Sequence, residues 1–435
     1  MSVVGFYDSF IGLTLSLLWA FFLTWWWLIL PLILYFPAKF FHLWWIRWEV
    51  WYKEEQWILL EMIPPVEVLK PYMAMDDVIT SLWPIYDGAN WREQWCEGEM
   101  IGGPFWLSFE IVSVSGQVHF YMRILKDQRK FVEAIFHTHY PEIEIFEVED
   151  YTQNVPQDIP NKELDIYGEY LTTTRPDAYP IRTYKYFEIR PEEVDQEKKL
   201  DPFANLMEAM AKLNEGEQLW FQINLTPITN RDIPWIDEGK EIADQIAKRP
   251  ESSNRKSMIG EILKLVFLGK KPYDEEEKAE SLIPPEMKMT PGEREKLEAV
   301  EDKIGKVGFK VYMRSVYIYT KDAFVSPNKR IPRSYMAHFN TTSLNSMRDW
   351  SKEKTKIHYF FRERRLYTRK KKMFDLYVRR LPPLYPQMWG PGNMILNAEE
   401  IASIFHFPAN AAALPAGVPR ILAKKATPPP NLPIE

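Results

Sequence analysis

The sequence has few of the residues and motifs on which enzyme sites are built. It contains one cysteine, Cys96, among 435 residues. A single cysteine excludes an intramolecular disulfide and a thiolate metal cluster, and it agrees with a reducing compartment. No phosphate-binding GxxxxGK[ST] loop, HExxH zinc motif, paired CxxC or GxSxG nucleophile motif occurs. We therefore predict a protein that is not an enzyme and binds no metal ion or cofactor, with an unfamiliar catalytic site as the lesser alternative.

Charge is missing from the N-terminal region. No residue between Asp8 and Lys39 carries a formal charge, and residues 11–36 are almost continuously apolar. As a helix this stretch would be about 39 Å long, enough for one tilted passage across a hydrocarbon core of about 30 Å but not for two. No Lys or Arg precedes it, which argues against a cleaved signal peptide. The sequence predicts an uncleaved membrane span at residues 11–36, with its exit marked by Pro37 and Lys39.

Tryptophan is concentrated around this span. Eight of the 17 tryptophans lie within the first 51 residues, where a membrane–water interface would favour them. These are Trp19, Trp25, Trp26, Trp27, Trp44, Trp45, Trp48 and Trp51. Positive charges follow the span at Lys39, Arg47 and Lys53, and none precedes it. By the positive-inside rule we predict a single-pass protein of the cell (inner) membrane, with its N-terminus outside and its soluble body in the cytoplasm.

Residues 40–60 alternate aromatic and charged side chains. This pattern fits a helix that lies in the lipid headgroup layer or continues the span. It fits equally well a helix whose aromatic side chains pack on the soluble body, so the sequence leaves both alternatives open.

The remainder of the sequence predicts a water-soluble α+β body. The predicted fold class is an N-terminal transmembrane helix followed by two ferredoxin-like (split βαβ) domains. The predicted divisions are a membrane anchor with an aromatic interfacial helix at residues 1–60, a connecting segment at 61–104, a first ferredoxin-like domain at 105–235, a helical and charged linker at 236–305, a second α+β domain with a basic patch at 306–425, and a Pro-rich tail at 426–435.

The first domain is predicted from a β-α-β-β-α-β order of elements that begins at Gln117, with one hairpin strand added in front. Residues 105–114 and 117–125 alternate apolar and polar positions around Ser115-Gly116, which predicts a hairpin. Further predicted elements are helices at 127–139 and 202–213 and strands at 142–148, 181–189 and 218–225, with an irregular stretch up to Pro180.

The second half of the chain predicts a less regular domain, with duplication of the first as one interpretation. Its predicted elements are helical runs at 235–268, a charged helix at 291–304, a strand at 308–319, helices at 337–352 and 358–367, and a strand at 373–379.

Basic residues are concentrated near the C-terminus. Residues 329–380 contain 16 Lys or Arg and 4 Asp or Glu, a local net charge of +12 against −18 for the rest of the chain. Lys and Arg side chains neutralise phosphates, and aromatic rings stack on nucleobases, so this region predicts contact with single-stranded nucleic acid. The same positive charge also predicts contact with anionic lipid. Pairing with the chain's own acidic linker or with an acidic protein is a further interpretation. The candidate contact residues are Lys352, Lys354, Lys356, Tyr359, Phe361, Arg362, Arg364, Arg365, Arg369, Lys370, Lys371 and Lys372.

Two stretches, at residues 200–223 and 395–408, resemble a known family. Residues 200–210 (LDPFANLMEAM) and 215–223 (EGEQLWFQI) resemble a "DP…L…AL" helix and the "GE…W.Q" strand that follows it in conjugative coupling ATPases of type IV secretion. Residues 395–408 (ILNAEEIASIFHFP) resemble the "LN.EELA.L.H.P" segment before the motor domain of that family, and residues 429–433 (PPNLP) resemble its continuation. The resemblance covers residues 100–435 in order.

A nucleotide-binding motor follows these segments in the coupling ATPases, whereas this sequence ends at Glu435. The resemblance therefore implies the membrane-proximal, non-ATPase part alone. Its implied role is a scaffold or adaptor for a separate motor ATPase in a conjugation-like DNA-transfer apparatus, with membrane lipid, DNA and other secretion subunits as partners and with the oligomeric state open. The alternative is an envelope structural protein that binds the membrane surface through its aromatic collar and basic patch. Asn397 and Glu400 also predict a capping box for a helix at 398–405, which is a structural explanation for much of that motif.

Overall fold

The computed structural model describes residues 3–64, 71–86, 88, 90–97, 107–186, 202–247, 289–381 and 394–408. The chain divides into two compact units. The first contains residues 1–56 and 88–101, and the second contains residues 57–87 and 102–435. A long apolar helix dominates the first unit, and a large antiparallel sheet dominates the second.

The first unit is built on helix α1 (Val3–Trp44), which continues into a π-helix (Trp45–Trp51) and a short helix α2 (Tyr52–Glu54). Helix α1 is about 63 Å long and passes through Pro31 and Pro37 without ending. Its apolar window has a mean hydropathy of 2.1, and no residue of that window is buried in the described part of the chain. The predicted span therefore lies within one helix that is long and apolar enough to cross a membrane, although this helix ends at Trp44 and not near Pro37.

The predicted interfacial helix at residues 40–60 is helical only as far as Glu54. Residues Trp57–Ile63 instead form strand β1 of the second unit, so the prediction was wrong for residues 57–60. Ile58 contacts the core on one face of the sheet, and Leu59 contacts the core on the other. A short apolar run that is buried on both faces is typical of an inner strand, and here it begins where the alternation with charged residues stops.

The second unit is built on one nine-stranded sheet, in which every neighbouring pair of strands is antiparallel. The strands are β1 (Trp57–Ile63), β2 (Leu107–Val114), β3 (Gln117–Leu125), β4 (Glu144–Val148), β5 (Leu164–Thr173), β6 (Glu217–Ile228), β7 (Gly308–Thr320), β8 (Met347–Asp349) and β9 (Met394–Asn397). Their order is β4-β1-β3-β2-β6-β7-β5-β8, and β9 pairs with the start of β7 while β5 pairs with its end. Successive side chains point to opposite faces, so Ile111 packs in one core and Val112 in the other.

Helices cover the two faces of this sheet unequally. They are α3 (Pro71–Leu82), α4 (Arg129–His139), α5 (Pro202–Ala211), α6 (Trp235–Ile246), α7 (Pro291–Ile304), α8 (Ile331–Met336), α9 (Arg362–Val378) and α10 (Ala398–Ile404). The larger core lies between the sheet and α3, α4, α5, α8 and α10, while the smaller core lies between the sheet and α9. Helices α6 and α7 pack on each other.

Several predicted elements are confirmed. Strands β2 and β3 form the predicted hairpin, and its turn residues Ser115 and Gly116 have φ angles of 50° and 84°. The predicted charged helix has the same bounds as α7, and its N-cap Thr290 forms a capping box with Glu293. Asn397 and Glu400 form the predicted capping box at the start of α10.

Two separate ferredoxin-like domains are not confirmed. Strand β6 was assigned to the first predicted domain and β7 to the second, yet the two strands pair over twelve residues within one sheet. Split βαβ connections do occur, since α4 joins β3 to β4 around β1, and α5 lies between β5 and β6, which flank β7. Local patterns predicted these connections but could not indicate that the strands of both halves share a sheet.

Four local predictions were wrong. Strand β5 lies in the stretch predicted to be irregular, and the strand predicted at residues 181–189 is a 3-10 turn (Tyr184–Tyr186) in its described part. The helix predicted at 337–352 is a 3-10 turn (Ala337–Phe339) followed by β8. The helix predicted at 358–367 is confirmed from Arg362 onward, but it continues as the single helix α9 through the strand predicted at 373–379. The predicted Pro-rich tail and residues 248–288 of the predicted linker lie outside the described residues.

Candidate functional site

The predicted basic and aromatic contact residues lie on α9 and on the loop before it. The fully buried residues of α9 fall in its second half, where Met373, Phe374 and Tyr377 pack against the sheet. The Trp220 ring of β6 lies 5.3 Å from the ring of Tyr377, centroid to centroid. Because the fully buried residues lie in the second half, the first half of α9 presents Arg362, Arg364 and Arg365 to solvent.

The exposed part of this region combines bases with large rings, and we call it the α9 surface. It consists of the exposed bases Lys352, Lys356, Arg362, Arg364, Arg365 and Lys371 with the exposed aromatic residues Tyr359, Phe360, Phe361 and Tyr367. Phe360 is 87% exposed and Phe361 is 79% exposed. Phe361 precedes the first residue of α9 and adopts a left-handed conformation with a φ of 57°, which is uncommon for a bulky residue.

A cavity of about 520 Å³ opens in the α9 surface. Its lining contains four basic residues, two aromatic residues and one carboxylate. The lining residues are Glu353, Ile357, Tyr359, Phe361, Arg364, Arg365, Thr368, Arg369 and Lys372. The Arg365 guanidinium lies 5.5 Å from the centre of the Tyr359 ring. Cations beside flat rings match a ligand that carries both phosphate and an aromatic base.

Three of the predicted contact residues are engaged within the protein. The Lys370 ammonium lies 2.6 Å from a carboxylate oxygen of Asp165, and the Lys354 ammonium lies 2.9 Å from Asp349. Arg369 donates a hydrogen bond of 3.0 Å to the carbonyl oxygen of Lys354. These two lysines therefore pair with acidic residues of the same chain in β5 and β8, which lie outside the acidic linker named in the sequence interpretation.

Arg380 ends the basic run and lies in the protein interior. It is 1% exposed and donates hydrogen bonds to the carboxylates of Glu110 and Asp150. The Tyr151 hydroxyl donates to the second oxygen of Glu110 at 2.7 Å. Burial raises the pKa of the Glu110 carboxyl, but the Arg380 charge and hydrogen bonds outweigh burial and hold this pKa below its usual range. Glu110 and Arg380 are therefore a structural ion pair.

The motif at residues 395–408 has a structural role at another position. The Lys303 ammonium of α7 donates to the carbonyl oxygen of Ile395 at 2.9 Å and forms a buried ion pair of 3.0 Å with Glu400. Glu400 also accepts hydrogen bonds from the backbone amides of Asn397 and Ile181. Burial raises the pKa of the Glu400 carboxyl despite the attraction of Lys303. The motif thus joins α10 to α7 and to the chain before the 3-10 turn at residues 184–186.

Comparison with protein-family models shows which family the chain belongs to. Residues 103–414, well over half of the sequence, match the family model described as domain of unknown function DUF8128. The chain belongs to the DUF8128 family. No curated protein matches it. The DUF8128 range includes the α9 surface and begins after β1, although β1 is hydrogen bonded between β3 and β4.

In the described part of this DUF8128 protein, no group of three or more His, Cys, Asp or Glu side chains is placed to hold a metal ion. Sequence reasoning did not select Phe360 as a contact residue, although it is among the most exposed rings. It also missed Trp91 and Trp95 of the first unit, whose rings lie 6.2 Å apart. The i, i+4 spacing of these tryptophans was the available signal, because it places both on one side of a helical turn.

Proposed function

We propose that this protein is a non-enzymatic, single-pass membrane protein whose body binds nucleic acid through the α9 surface. In this proposal it acts as a scaffold or adaptor for a separate motor ATPase in a conjugation-like or type IV secretion-like DNA-transfer apparatus. The observation that carries the nucleic-acid part is the α9 cavity, where Arg364, Arg365, Arg369 and Lys372 surround the rings of Tyr359 and Phe361.

The physical argument favours a single strand over a duplex. Bases of a single strand are free to stack on exposed rings, whereas those of a duplex are already stacked on one another. The rings of Tyr359, Phe360 and Phe361 lie just before the Arg and Lys residues of α9 in the sequence, and each is more than half exposed. Each stacked base contributes about 1–3 kcal/mol in proteins of this kind, and each phosphate contact adds affinity that falls with salt.

Membrane attachment is proposed from the length, hydropathy and exposure of α1. An apolar helix with this much exposed side-chain surface would be costly in water and is accommodated by lipid. The charges at Lys39, Arg47 and Lys53 support an N-terminus outside and a body in the cytoplasm of a cell (inner) membrane. Protease protection in inverted vesicles tests this orientation, because a body that resists protease there would contradict it.

The test of nucleic-acid binding uses the full chain in nanodiscs of zwitterionic lipid and a fluorescent single-stranded oligonucleotide. The triple variant Arg362→Ala, Arg364→Ala, Arg365→Ala should bind about ten to a hundred times more weakly in anisotropy titrations at low salt. The matched control, Lys126→Ala, Lys130→Ala, Lys240→Ala, removes the same charge from exposed positions elsewhere and should change affinity by less than about twofold. Absence of binding, or equal loss in both triple variants, would contradict the proposal.

The aromatic contribution has its own readout. The double variant Phe360→Ala, Phe361→Ala should weaken binding to the single strand while leaving the weaker binding to duplex DNA unchanged. Lipid contact is the second candidate function, and the 87% exposure of Phe360 favours it because an exposed ring beside bases also suits insertion among anionic lipids. Loss of oligonucleotide binding when anionic lipid replaces zwitterionic lipid in the nanodisc would favour that alternative.

The motor partner rests on the resemblance to coupling ATPases. If the protein is an adaptor of this kind, genes for a motor ATPase and for pilus assembly should lie beside its gene. Cross-linking in intact cells followed by purification of the full chain should then recover that ATPase. A genomic neighbourhood without such genes would count against this part of the proposal and would leave the nucleic-acid test unaffected.

A further inference from the structure

A second aromatic segment contacts the C-terminal end of α1 within the first unit. Residues 90–97 (NWREQWCE) pack against the π-helix that continues α1. The His42 ring nitrogen Nε2 lies 3.0 Å from the carbonyl oxygen of Trp95, and the two rings are stacked at 6.3 Å. The Lys39 ammonium lies 5.0 Å from the centre of the Trp95 ring. Lys39 is the first charge after the apolar span, so this contact is at the predicted level of membrane exit.

The segment has its own local structure. The Asn90 side chain accepts a hydrogen bond of 3.1 Å from the backbone amide of Glu93, and the Glu93 carboxylate accepts one of 2.7 Å from the backbone amide of Asn90. These reciprocal bonds form a capping box, which starts the helical turn that carries Trp91 and Trp95. The segment is therefore held in one conformation by its own polar residues and docked by Lys39 and His42.

Large aromatic side chains of this unit are exposed. Trp91 of the segment is 72% exposed, and Phe41, next in sequence to His42, and Trp45, within the π-helix, are 63% and 59% exposed. Covering a large apolar side chain is worth about 1.5–3 kcal/mol, so three such rings in water would be unfavourable. Indole rings beside cationic side chains are the composition found at membrane–water interfaces.

We propose that residues 90–97 lie in the lipid headgroup layer as a second interfacial segment, with Trp91 inserted among the lipids and Lys39 near lipid phosphate. This inference rests on the proposed membrane span of α1, which continues directly into the contact surface. In this proposal the chain contacts the bilayer a second time, after β1 and α3 in the sequence. The membrane attachment would then consist of α1 and residues 90–97. Cover by another protein chain is the competing outcome of the test.

Cys96 provides a natural probe, because it is the one cysteine of the sequence and is exposed within this segment. The full chain is labelled at Cys96 with an environment-sensitive fluorophore and reconstituted in phosphatidylcholine–phosphatidylglycerol vesicles. Lipids that carry a nitroxide at the headgroup should quench the label strongly, and lipids with the nitroxide deep in the acyl chain should quench it less. The matched control combines Cys96→Ser with Lys212→Cys, because Lys212 is the exposed residue that follows α5. Its label should be quenched by aqueous iodide and not by lipid nitroxide.

A variant and an extraction assay separate the outcomes. Trp91→Ala with Trp95→Ala should lower headgroup quenching at Cys96 while the protein stays in the membrane pellet after alkaline carbonate. A chain that resists carbonate, with a Cys96 label quenched only by iodide or shielded from both quenchers, would overturn the second segment and leave the α1 anchor intact. A chain extracted by carbonate would overturn the anchor and this inference together.

Discussion

Arg364 and Arg380 belong to one basic run, but their surroundings are opposite. Arg364 is exposed, lines the α9 cavity and lies among other cations. Arg380 is 1% exposed and is bonded to the carboxylates of Glu110 and Asp150. Removal of a buried and partnered cation destabilises the fold because its carboxylate is left unpaired, whereas an exposed cation among like charges is available to a ligand. The sign and density of charge in a sequence therefore do not identify a binding surface until the partners are known.

The same division separates neighbouring residues. The Lys370 side chain pairs with Asp165 of β5, while Lys371 is exposed beside a cavity of about 480 Å³. One turn of α9 therefore serves both the attachment of the helix and its exposed surface. Variants of the two kinds should affect different measurements, namely stability for the first and ligand binding for the second.

The largest expected effect concerns Arg380. We expect Arg380→Ala to lower the free energy of unfolding by about 3–5 kcal/mol, because Glu110 would remain buried without its cation. Arg379→Ala is the matched control, since Arg379 is the preceding residue, is 42% exposed and pairs with Asp375 at i, i+4. This control should cost less than about 0.5 kcal/mol. Chemical denaturation of the detergent-solubilised full chain measures both, and equal costs would remove the distinction between buried and exposed arginines.

Lys310 on β7 tests the effect of burial on the pKa of a lysine. Burial lowers the pKa of the Lys310 ammonium to about 7, against about 10.4 for lysine in an unfolded chain. As pH falls from about 10 to about 7 the unfolded chain binds a proton that the folded chain does not, so stability is lost across this window and is constant below it. Lys310→Met should abolish this loss, so its stability relative to the wild type should rise by about 1.4 kcal/mol for each unit that the pH falls within this window.

Denaturation at several pH values measures the Lys310 effect. Lys240→Met, at an exposed position of α6, should follow the wild-type pH dependence. Parallel curves for wild type and Lys310→Met between pH 7 and 10 would mean that this lysine keeps its charge in the folded protein.

Gly168 tests how α9 is seated on the sheet. A Cβ atom at this position of β5 would lie 2.6 Å from Cγ of Met373, which is too close for any real contact. Gly168→Ala should therefore displace α9 and cost about 1–3 kcal/mol. Gly292→Ala in α7, where a Cβ atom would meet nothing within 4 Å, should leave stability unchanged or slightly raised. A tolerated Gly168→Ala would show that α9 adjusts without cost, and then its exposed and buried halves would not be rigidly coupled.

Local signals in the sequence predicted local structure well. The hairpin at Ser115-Gly116, helix α7 and the capping box of Asn397 with Glu400 each depend on residues within a few positions of one another. The second half of α9 was misread, because Met373, Phe374, Leu376 and Tyr377 form a dense apolar cluster in a short window. Their i, i+3 and i+4 spacing is helical, and length would have favoured one continuous helix over a helix and a strand.

Long-range pairing could not be predicted. The partner of Lys370 is 205 residues away and the two partners of Arg380 are 230 and 270 residues away, so no local pattern distinguishes these basic residues from the exposed ones. The pairing of β6 with β7 likewise joins segments on either side of residues 229–307. The sequence identified the basic run that contains the candidate site. Only the tertiary contacts show which of its basic residues form internal ion pairs and which are exposed on the α9 surface.

The smallest expected effect is the most direct comparison of the two kinds of base. In oligonucleotide titrations at several salt concentrations, Arg364→Ala should reduce the slope of log affinity against log salt by about 0.7, the loss of one contact with a single-strand phosphate. The corresponding change in binding free energy is about 1 kcal/mol at low salt. Lys370→Ala should leave the slope unchanged, because its ammonium already neutralises Asp165. If Lys370→Ala lowers the slope as much as Arg364→Ala does, the internal ion pair opens when ligand binds, and both residues belong to the binding surface.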